Sequence, residues 1–268
     1  MLDAAWEGGV SYVDAARSYG AAEDFLASWL ALRDPAGDLP VIGSKWGYTY
    51  TGQWDMTAPV HERKDLSAST FRRQLAETRE RLGEHLALYQ IHSATIESGV
   101  LDDSALLADL AALRATGVAI GVTVTGPRQA ETIDRALEVG IFDSVQATWN
   151  LIERSAEQAL MRARKAGLFV IVKEAMANGR LAAPAADPAL LAYAGKHGVP
   201  PDAVAIAAAV IQPWSDVVLS GAVSPDMFAA NRRALELVGD GDDPAVELAQ
   251  LRTQPDVYWH QRSLLPWQ

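Results

Sequence analysis

The chain has 268 residues, of which 49% are hydrophobic and 21% charged, the balance of an ordinary globular protein with ample material for a core. Its net charge of −11 argues against a nucleic-acid-binding surface, and the absence of cysteine excludes disulfides and thiolate chemistry. The N-terminal residues lack the basic and apolar segments of a signal peptide, and no apolar run could span a bilayer. We therefore expect a cytoplasmic protein.

Short apolar runs alternate with longer amphipathic segments along nearly the whole chain, the pattern of repeated strand–helix units. Strands are predicted near residues 10–14, 39–45, 86–92, 119–124, 144–149, 169–175 and 217–221. Helices are predicted near residues 21–33, 67–83, 102–116, 127–139, 155–166, 187–212 (broken at Pro200-Pro201) and 224–238. The pattern predicts one α/β domain over residues 1–268, a (β/α)8 TIM-barrel-type fold.

The predicted barrel is one strand short. Seven strands are predicted where eight are needed, and residues 1–8 have the pattern of the tail of a helix that stops at Gly8-Gly9. We expect an N-terminally incomplete barrel, open between the strands at 10–14 and 217–221. Unpaired strand edges invite pairing with another chain. The gap therefore predicts either a homo-oligomer or a seam covered by a terminus, such as residues 254–268.

Four side chains capable of proton transfer follow predicted strands. Asp14 ends the first strand and Tyr19 follows in the next turn, while Lys45 and His92 end the second and third strands. The carboxyl ends of barrel strands converge on one rim, where active sites form. We therefore expect these four residues to lie together.

At these positions the chain resembles the aldo-keto reductase superfamily. The matching motifs are Val13-Asp14-Ala15-Ala16-Arg17-Ser18-Tyr19-Gly20, Ser44-Lys45-Trp46-Gly47 and Tyr89-Gln90-Ile91-His92. The family's first strand, with a glycine-bearing loop near the nicotinamide, has no counterpart here. The resemblance implies an NAD(P)(H)-dependent oxidoreductase that interconverts an aldehyde or ketone and an alcohol. It also implies a small-molecule substrate, with no nucleic-acid or membrane partner.

The resemblance assigns a role to each of the four residues. Tyr19 is the general acid/base, the Lys45–Asp14 pair lowers the pKa of its phenol, and His92 orients and polarises the carbonyl oxygen.

The resemblance also implies cofactor contacts along the later strands. Gln146 would bind the nicotinamide carboxamide, and Trp149 would stack against the ring. The further candidate cofactor-binding residues are Thr123, Lys173, Met176, Gly179, Gly221, Ser224 and Asn231. The family commonly has Ser-Asn after Gly-Val in the fifth strand, and Thr123-Val124 stands there instead, which predicts a weaker grip on the carboxamide.

The choice of dinucleotide stays open. NADP(H) is the family default, but many members place Arg or Lys in the loop that this chain builds from residues 220–227, where it has Asp226 and Met227. NAD(H) is therefore a competing possibility.

Aromatic residues cluster at two places near the predicted rim. One cluster follows Lys45 and predicts the walls of a substrate pocket or, alternatively, a small core under a loop: Trp46, Tyr48, Tyr50 and Trp54. The other is C-terminal and could fold over the rim: Tyr258, Trp259, His260 and Trp267.

Two other functions compete with the oxidoreductase. A redox-neutral acid/base enzyme, such as an isomerase, dehydratase or cyclase, would use the same four residues with a degraded cofactor site. A non-catalytic binding barrel is the third possibility. No Gly-x-Gly-x-x-Gly or His-Glu-x-x-His motif occurs, so neither a Rossmann domain nor a metal site is expected.

Overall fold

A computed structural model describes residues 1–34, 37–52, 54–55, 58–239 and 241–265. In chain order the strands are β1 (Tyr12–Asp14), β2 (Val41–Trp46), β3 (Tyr48–Tyr50), β4 (Glu62–Lys64), β5 (Leu86–Ala94), β6 (Ala119–Val124), β7 (Ser144–Thr148), β8 (Phe169–Lys173) and β9 (Val217–Val218). Seven of them pair in parallel in the order β1-β2-β5-β6-β7-β8-β9, while β3 and β4 form a separate antiparallel hairpin. The seven strands form a nearly closed barrel of the (β/α)8 type that lacks one strand, as predicted.

Helices separate the strands and pack against them. They are α1 (Leu2–Glu7), α2 (Ala22–Leu30), α3 (Ala68–Leu82), α4 (Ser104–Arg114), α5 (Gln129–Val139), α6 (Glu157–Lys165), α7 (Pro188–His197), α8 (Pro201–Val210), α9 (Pro225–Arg232), α10 (Pro244–Glu247) and α11 (Pro255–Ser263). Every predicted strand and helix is present, with boundaries shifted by a few residues. The β3–β4 hairpin and helix α11 were not predicted. No helix in the described part of the chain is long and apolar enough to cross a membrane.

Side-chain caps fix where several helices begin. The Ser67 hydroxyl accepts a hydrogen bond from the Thr70 backbone N–H at 3.3 Å at the start of α3. Asp103 accepts one from the Ala105 N–H at 3.0 Å at the start of α4. These bonds satisfy N–H groups that have no partner within the helix, and so they set the length of the loop that leads out of each strand.

The interior of the barrel is closed below the strand ends by a small apolar layer. Tyr12, Leu88 and Ile171 are buried together there, separate from the larger core between strands and helices. The Tyr12 ring lies across β2, where a Cβ on Gly43 would come within 2.1 Å of the Tyr12 hydroxyl. Glycine is therefore required at position 43, and the layer gives the pocket above it a solid floor.

The barrel is open between β1 and β9. These strands are the two ends of the sheet, and no pairing among the described residues joins them. Outside the gap, α1 contacts α9, and a Cβ on Gly8 would come within 2.5 Å of the Phe228 ring. The helical layer thus continues where the strand layer is interrupted. Pairing of the two edges with a second copy stays a prediction.

The C-terminal segment covers the rim rather than the seam. The Thr253 N–H donates to the Ile152 carbonyl at 3.0 Å, and the Asn150 amide donates to the Tyr258 hydroxyl at 3.1 Å. Helix α11 therefore lies on the loop that follows β7, away from the β1 edge. Residues 266–268, which include Trp267, lie outside the described part of the chain.

Candidate active site

A cavity of about 810 Å³ opens at the carboxyl ends of the strands. It is lined by the following residues: Asp14, Ser18, Tyr19, Gly20, Tyr48, Tyr50, Trp54, Glu62, His92, Ser93, Thr125, Gln146, Lys173, Glu174, Asn178, Leu219, Arg262, Ser263 and Leu265. Most of these residues lie at or after the ends of β1, β2, β5, β6, β7, β8 and β9. Arg262, Ser263 and Leu265 come from α11 and the residues after it. Another cavity, of about 480 Å³ around Arg114 and Asp143, carries only a surface ion pair. The strand-end cavity is therefore the candidate site.

Lys45 and Asp14 form a close ion pair at the base of this cavity. The Lys45 ammonium lies 2.5 Å from an Asp14 carboxylate oxygen and donates a second hydrogen bond to the Ala15 carbonyl at 2.8 Å. Burial alone would lower the pKa of Lys45, but Asp14 and Tyr19 outweigh it and the pKa is raised. Lys45 is therefore a fixed positive charge at neutral pH.

Tyr19 lies directly over this ammonium. The Lys45 Nζ atom is 4.8 Å from the centre of the Tyr19 ring and hydrogen-bonds the hydroxyl, while 46% of the residue is exposed towards the cavity. Burial of the hydroxyl end raises the pKa of Tyr19 more than Lys45 lowers it, with Asp14 adding to the increase. Lys45 lowers the pKa of Tyr19, as expected, but burial raises this pKa by more. Tyr19 therefore carries its proton at neutral pH.

His92 completes the group as a neutral imidazole. Its ring meets Tyr19 and Tyr48 edge to face, with centroid distances of 5.6 Å and 4.9 Å. Burial, and then the charges of Lys45 and Lys173, hold the pKa of His92 well below its ordinary value. A neutral imidazole carries one N–H and can donate it to a carbonyl oxygen next to Tyr19.

A polar network, which was not predicted from the sequence, supports the four residues from below. The Tyr12 hydroxyl donates to Asp14 at 2.9 Å, and the Gln90 amide donates to the Tyr12 hydroxyl at 3.2 Å. Gln146 also donates to Asp14, at 3.2 Å. The Asp14 carboxylate is thereby fixed, and with it the position of Lys45.

Two of the predicted cofactor-binding residues, Gln146 and Lys173, line the cavity. Thr123 is buried, and its hydroxyl accepts the Ser93 backbone N–H at 2.7 Å, so it fixes the turn after His92. It does not line the cavity.

The remaining predicted cofactor-binding residues lie around the loops after β8 and β9. A Cβ on Gly221 would lie 3.9 Å from the Met176 methyl group, which places the two loops side by side. Gly179 follows the cavity residue Asn178. Ser224 caps α9 by accepting the Met227 N–H at 3.2 Å.

Asn231 is buried, not on the helix surface. Its side-chain amide donates to the Ser220 carbonyl and hydroxyl oxygens, both at 3.0 Å. Asn231 therefore holds the loop after β9 against helix α9.

Two aromatic residues that the sequence analysis assigned to the site do not line the cavity. Trp149 is fully buried, packs edge to face on Trp214 at 5.5 Å and does not line the cavity. Trp46 is likewise fully buried, against Phe71 at 5.1 Å. Successive side chains of a strand point to opposite faces. Lys45 and Gln146 point into the barrel. Trp46, one position after Lys45, and Trp149, three positions after Gln146, therefore point outward into the helix layer.

The hairpin β3–β4 forms the aromatic wall. Tyr48 and Tyr50 line the cavity from β3, and Glu62 does so from β4. Trp54 is 71% exposed, and a Cβ on Gly20 would come within 2.6 Å of its indole ring. The predicted pocket roles of Tyr48 and Trp54 thus agree with their position at the cavity.

Arg262 on α11 closes the opposite side and was not predicted. Its guanidinium lies 2.5 Å from a Glu174 carboxylate oxygen, and the Tyr258 hydroxyl donates to Glu174 at 3.3 Å. Tyr258 and Trp259 are buried and His260 is exposed. The sequence could have indicated Arg262 by its spacing. Arg262 comes four residues after Tyr258, so the two side chains share one face of the helix.

Lys173, at the end of β8, has no counter-ion. None of the described carboxylates forms an ion pair with its ammonium, although Glu174 is adjacent in sequence and lies in the same cavity wall. Burial lowers the pKa of Lys173 to about 8, with Glu174 opposing the shift and Arg262 and Lys45 adding to it. Within the described residues no group of three or more His, Asp or Glu side chains could hold a metal ion.

Comparisons with known proteins agree with this fold. No curated protein sequence matches the chain. An aldo-keto reductase from Bacillus halodurans, in its holo form, is similar in structure with a TM-score of 0.75 and 20% identity, over 94% of this chain and 86% of that one. A putative aldo-keto reductase from Pseudomonas aeruginosa is similar with a TM-score of 0.65 and 24% identity, over 93% and 81%. The model of the Aldo/keto reductase family matches residues 1–245. The chain belongs to the aldo/keto reductase family.

Proposed function

We propose that the chain is a nicotinamide-dependent oxidoreductase that interconverts a small aldehyde or ketone and its alcohol, with Tyr19 as the general acid/base. The observation that carries the proposal is the linked set Asp14–Lys45–Tyr19 beside neutral His92 in one cavity. A cytoplasmic location is part of the same proposal.

The protonation states fit carbonyl reduction. As negative charge develops on the carbonyl oxygen, Tyr19 supplies the proton and His92 donates a hydrogen bond to the same oxygen. The Lys45 ammonium then stabilises the phenolate left on Tyr19, and Asp14 holds that ammonium in place. In alcohol oxidation the same groups act in reverse, with the Tyr19 phenolate as the base.

The rim offers groups that fit a nicotinamide dinucleotide, which supplies or accepts the hydride when it is bound. Gln146 presents a side-chain amide at the cavity wall, where it would hold the carboxamide. The loop between β9 and α9 is held by Asn231 and leaves Gly221 exposed, where it would hold the phosphates. Trp149 would contribute nothing to the stacking.

The charges near α9 favour weak selectivity for NADP(H). Arg233 pairs with Glu236 at 3.0 Å and donates to the Gly198 carbonyl at 2.8 Å, which directs it away from the loop before α9. Arg232 lies over the Phe228 ring. We infer that NAD(H) competes effectively with NADP(H) for this chain.

Replacing the phenol tests the proposed role of Tyr19. Tyr19→Phe should lower kcat for reduction of a panel of aldehydes by about 10²–10⁴-fold, the usual contribution of a general acid, while dinucleotide affinity stays the same. Tyr193→Phe, on α7 outside the cavity, is the matched control and should keep wild-type kcat. A Tyr19→Phe enzyme with most of the wild-type kcat would rule out Tyr19 as the proton donor.

A redox-neutral acid/base enzyme is the second candidate. Two observations favour it: the barrel lacks one strand, and Trp149 is turned away from the cavity. Such an enzyme would turn over its substrate without consuming reduced dinucleotide. Fluorescence quenching by NADPH and NADH decides between the two, because a chain that binds neither cannot be the proposed oxidoreductase.

A further inference from the structure

Of the two described cavity cations that the proposed chemistry does not use, Arg262 is paired with Glu174, whereas Lys173 is not in an ion pair. Lys173 extends from the end of β8 into the wall that also holds Gln146 and Asn178. Its ammonium forms neither a hydrogen bond nor an ion pair with any part of the chain that the structure describes. Lys173 is partly buried in the cavity wall, so its ammonium has lost some of its water without an opposite charge in contact with it, which is unfavourable.

The anionic groups of the cavity are already engaged elsewhere. Asp14 is paired with Lys45 at 2.5 Å, and Glu174 is bound by Arg262 at 2.5 Å. Glu62 lies on the β3–β4 hairpin, where its charge raises the pKa values of Tyr19 and Tyr48. Glu174 and Asp14 raise the pKa of Lys173 from a distance, but no carboxylate among the described residues forms an ion pair with its ammonium.

Two neighbouring cations also act on Lys173. Burial is the main cause of the low pKa of Lys173, about 8; Glu174 opposes it, and the charges of Arg262 and Lys45 add to it. An anion bound against Lys173 would offset these effects, because an opposite charge favours the charged form of the ammonium. Such a ligand would occupy the same cavity as Tyr19 and His92.

We propose that Lys173 binds a carboxylate of the substrate, so that the cavity accepts oxo acids with the carbonyl oxygen at Tyr19 and His92 and the carboxylate at β8. The carbonyl part rests on the proposed function, whereas the carboxylate part rests on the charges around Lys173. A phosphate of the dinucleotide offers the same anionic oxygens. Lys173 lies at a strand end, and the charges of Lys45 and Asp14 affect its pKa. It is therefore at the reacting end of the cavity.

Succinate binding tests the carboxylate site without any turnover. Isothermal titration calorimetry should show that wild type binds succinate, that Lys173→Met binds it at least tenfold more weakly, and that Lys173→Arg retains it within a few-fold. Lys165→Met, an exposed lysine on α6, is the matched control and should equal wild type. Equal affinity in wild type and Lys173→Met, or no succinate binding by wild type, would overturn the proposal.

Two further measurements separate substrate from cofactor. The ratio of kcat/KM for 4-oxobutanoate to that for butanal should fall at least tenfold in Lys173→Met and stay constant in Lys165→Met. If Lys173→Met instead loses NADPH and NADH affinity but not succinate affinity, the anion is a dinucleotide phosphate and the proposal is wrong. If wild type reduces neither aldehyde, the proposed function fails, while succinate binding still decides the fate of the carboxylate site.

Discussion

The two sides of the barrel rim differ in how completely their polar groups are satisfied. On the side of β1, β2 and β5, Asp14 accepts hydrogen bonds from Tyr12, Lys45 and Gln146, so the proton-transfer group is rigidly supported. On the side of β8 and β9, Lys173 has no partner in the described structure, and β9 is an edge strand of two residues. The proposed proton-transfer residues are thus held by the chain itself, whereas we expect the other side to gain contacts when a ligand binds.

That difference follows from where each side obtains its contacts. Asp14, Tyr19 and Lys45 are held by neighbours on adjacent strands that pair in register, Asp14 with Gly43. Both sides border the gap, through β1 and β9, but β1 pairs with β2 over three residues, whereas β9 pairs with β8 over only two. We expect the gap to affect ligand binding more than proton transfer, and the following experiments test this contrast.

The largest effect is expected from Lys45→Met. Removing the ammonium should reduce kcat by about 10²–10⁴-fold, because the phenolate of Tyr19 would lose its counter-charge. It also leaves Asp14 buried without its partner, which should destabilise the fold by about 3–5 kcal/mol. Chemical denaturation and steady-state kinetics measure the two effects. Lys45→Met/Asp14→Asn should regain stability without regaining activity, and a double variant that recovers both would contradict the role of Lys45.

The second prediction concerns pH. The pKa of Tyr19 is raised above its usual value of about 10, so the phenol is protonated at and well above neutral pH. Reduction, which needs the protonated form, should be independent of pH near neutrality. Alcohol oxidation, which needs the phenolate, should rise about tenfold per pH unit up to the Tyr19 pKa. An oxidation rate that levels off near pH 7 would mean that another base removes the proton.

Restoring the absent strand should strengthen the incomplete side. An N-terminal extension carrying a β-hairpin and one strand would pair with β1 and β9, adding several backbone hydrogen bonds of about 0.5–1.5 kcal/mol each. We expect a higher melting temperature and a roughly tenfold tighter dinucleotide, with kcat changing less. An extension that raised kcat but not dinucleotide affinity would contradict the contrast between the two sides.

The smallest effect is expected for dinucleotide selectivity. With Asp226 in the first turn of α9 and Arg233 paired to Glu236, the ratio of dissociation constants for NADPH and NADH should be within about tenfold, or about 1.4 kcal/mol. Fluorescence titration of both dinucleotides measures the ratio. A preference for NADPH of a hundredfold or more would show that Arg232 or Arg233 reaches the 2′-phosphate.

The sequence predicted the strand ends well because local signals determine them. Apolar runs indicated the seven strands, and the residues at the ends of the first three predicted strands included Asp14, Lys45 and His92. The alternation of side chains between the two faces of a strand was not used in the prediction. Trp46 and Trp149 lie an odd number of positions after Lys45 and Gln146, which point inward. The alternation of side chains would therefore have placed both tryptophans on the outer face of the barrel.

Contacts between distant segments could not be predicted in the same way. Arg262 reaches the cavity only because α11 folds back over the loops after β7 and β8, which depends on the Tyr258 contacts with Asn150 and Glu174. Lys173 was assigned to the cofactor from its motif. Its lack of a counter-ion depends on Glu174 being bound by Arg262 from a helix about ninety residues later, which no local pattern reveals.

Transfer of an isotopic label tests the central claim most directly. Wild type is incubated with an aldehyde and NADPH or NADH carrying deuterium at the transferable position of the nicotinamide, and the alcohol is examined by mass spectrometry and NMR. The account predicts one deuterium at the carbinol carbon with wild type and almost no product with Tyr19→Phe. Substrate conversion without dinucleotide consumption or carbon-bound deuterium would contradict it and identify a redox-neutral enzyme instead.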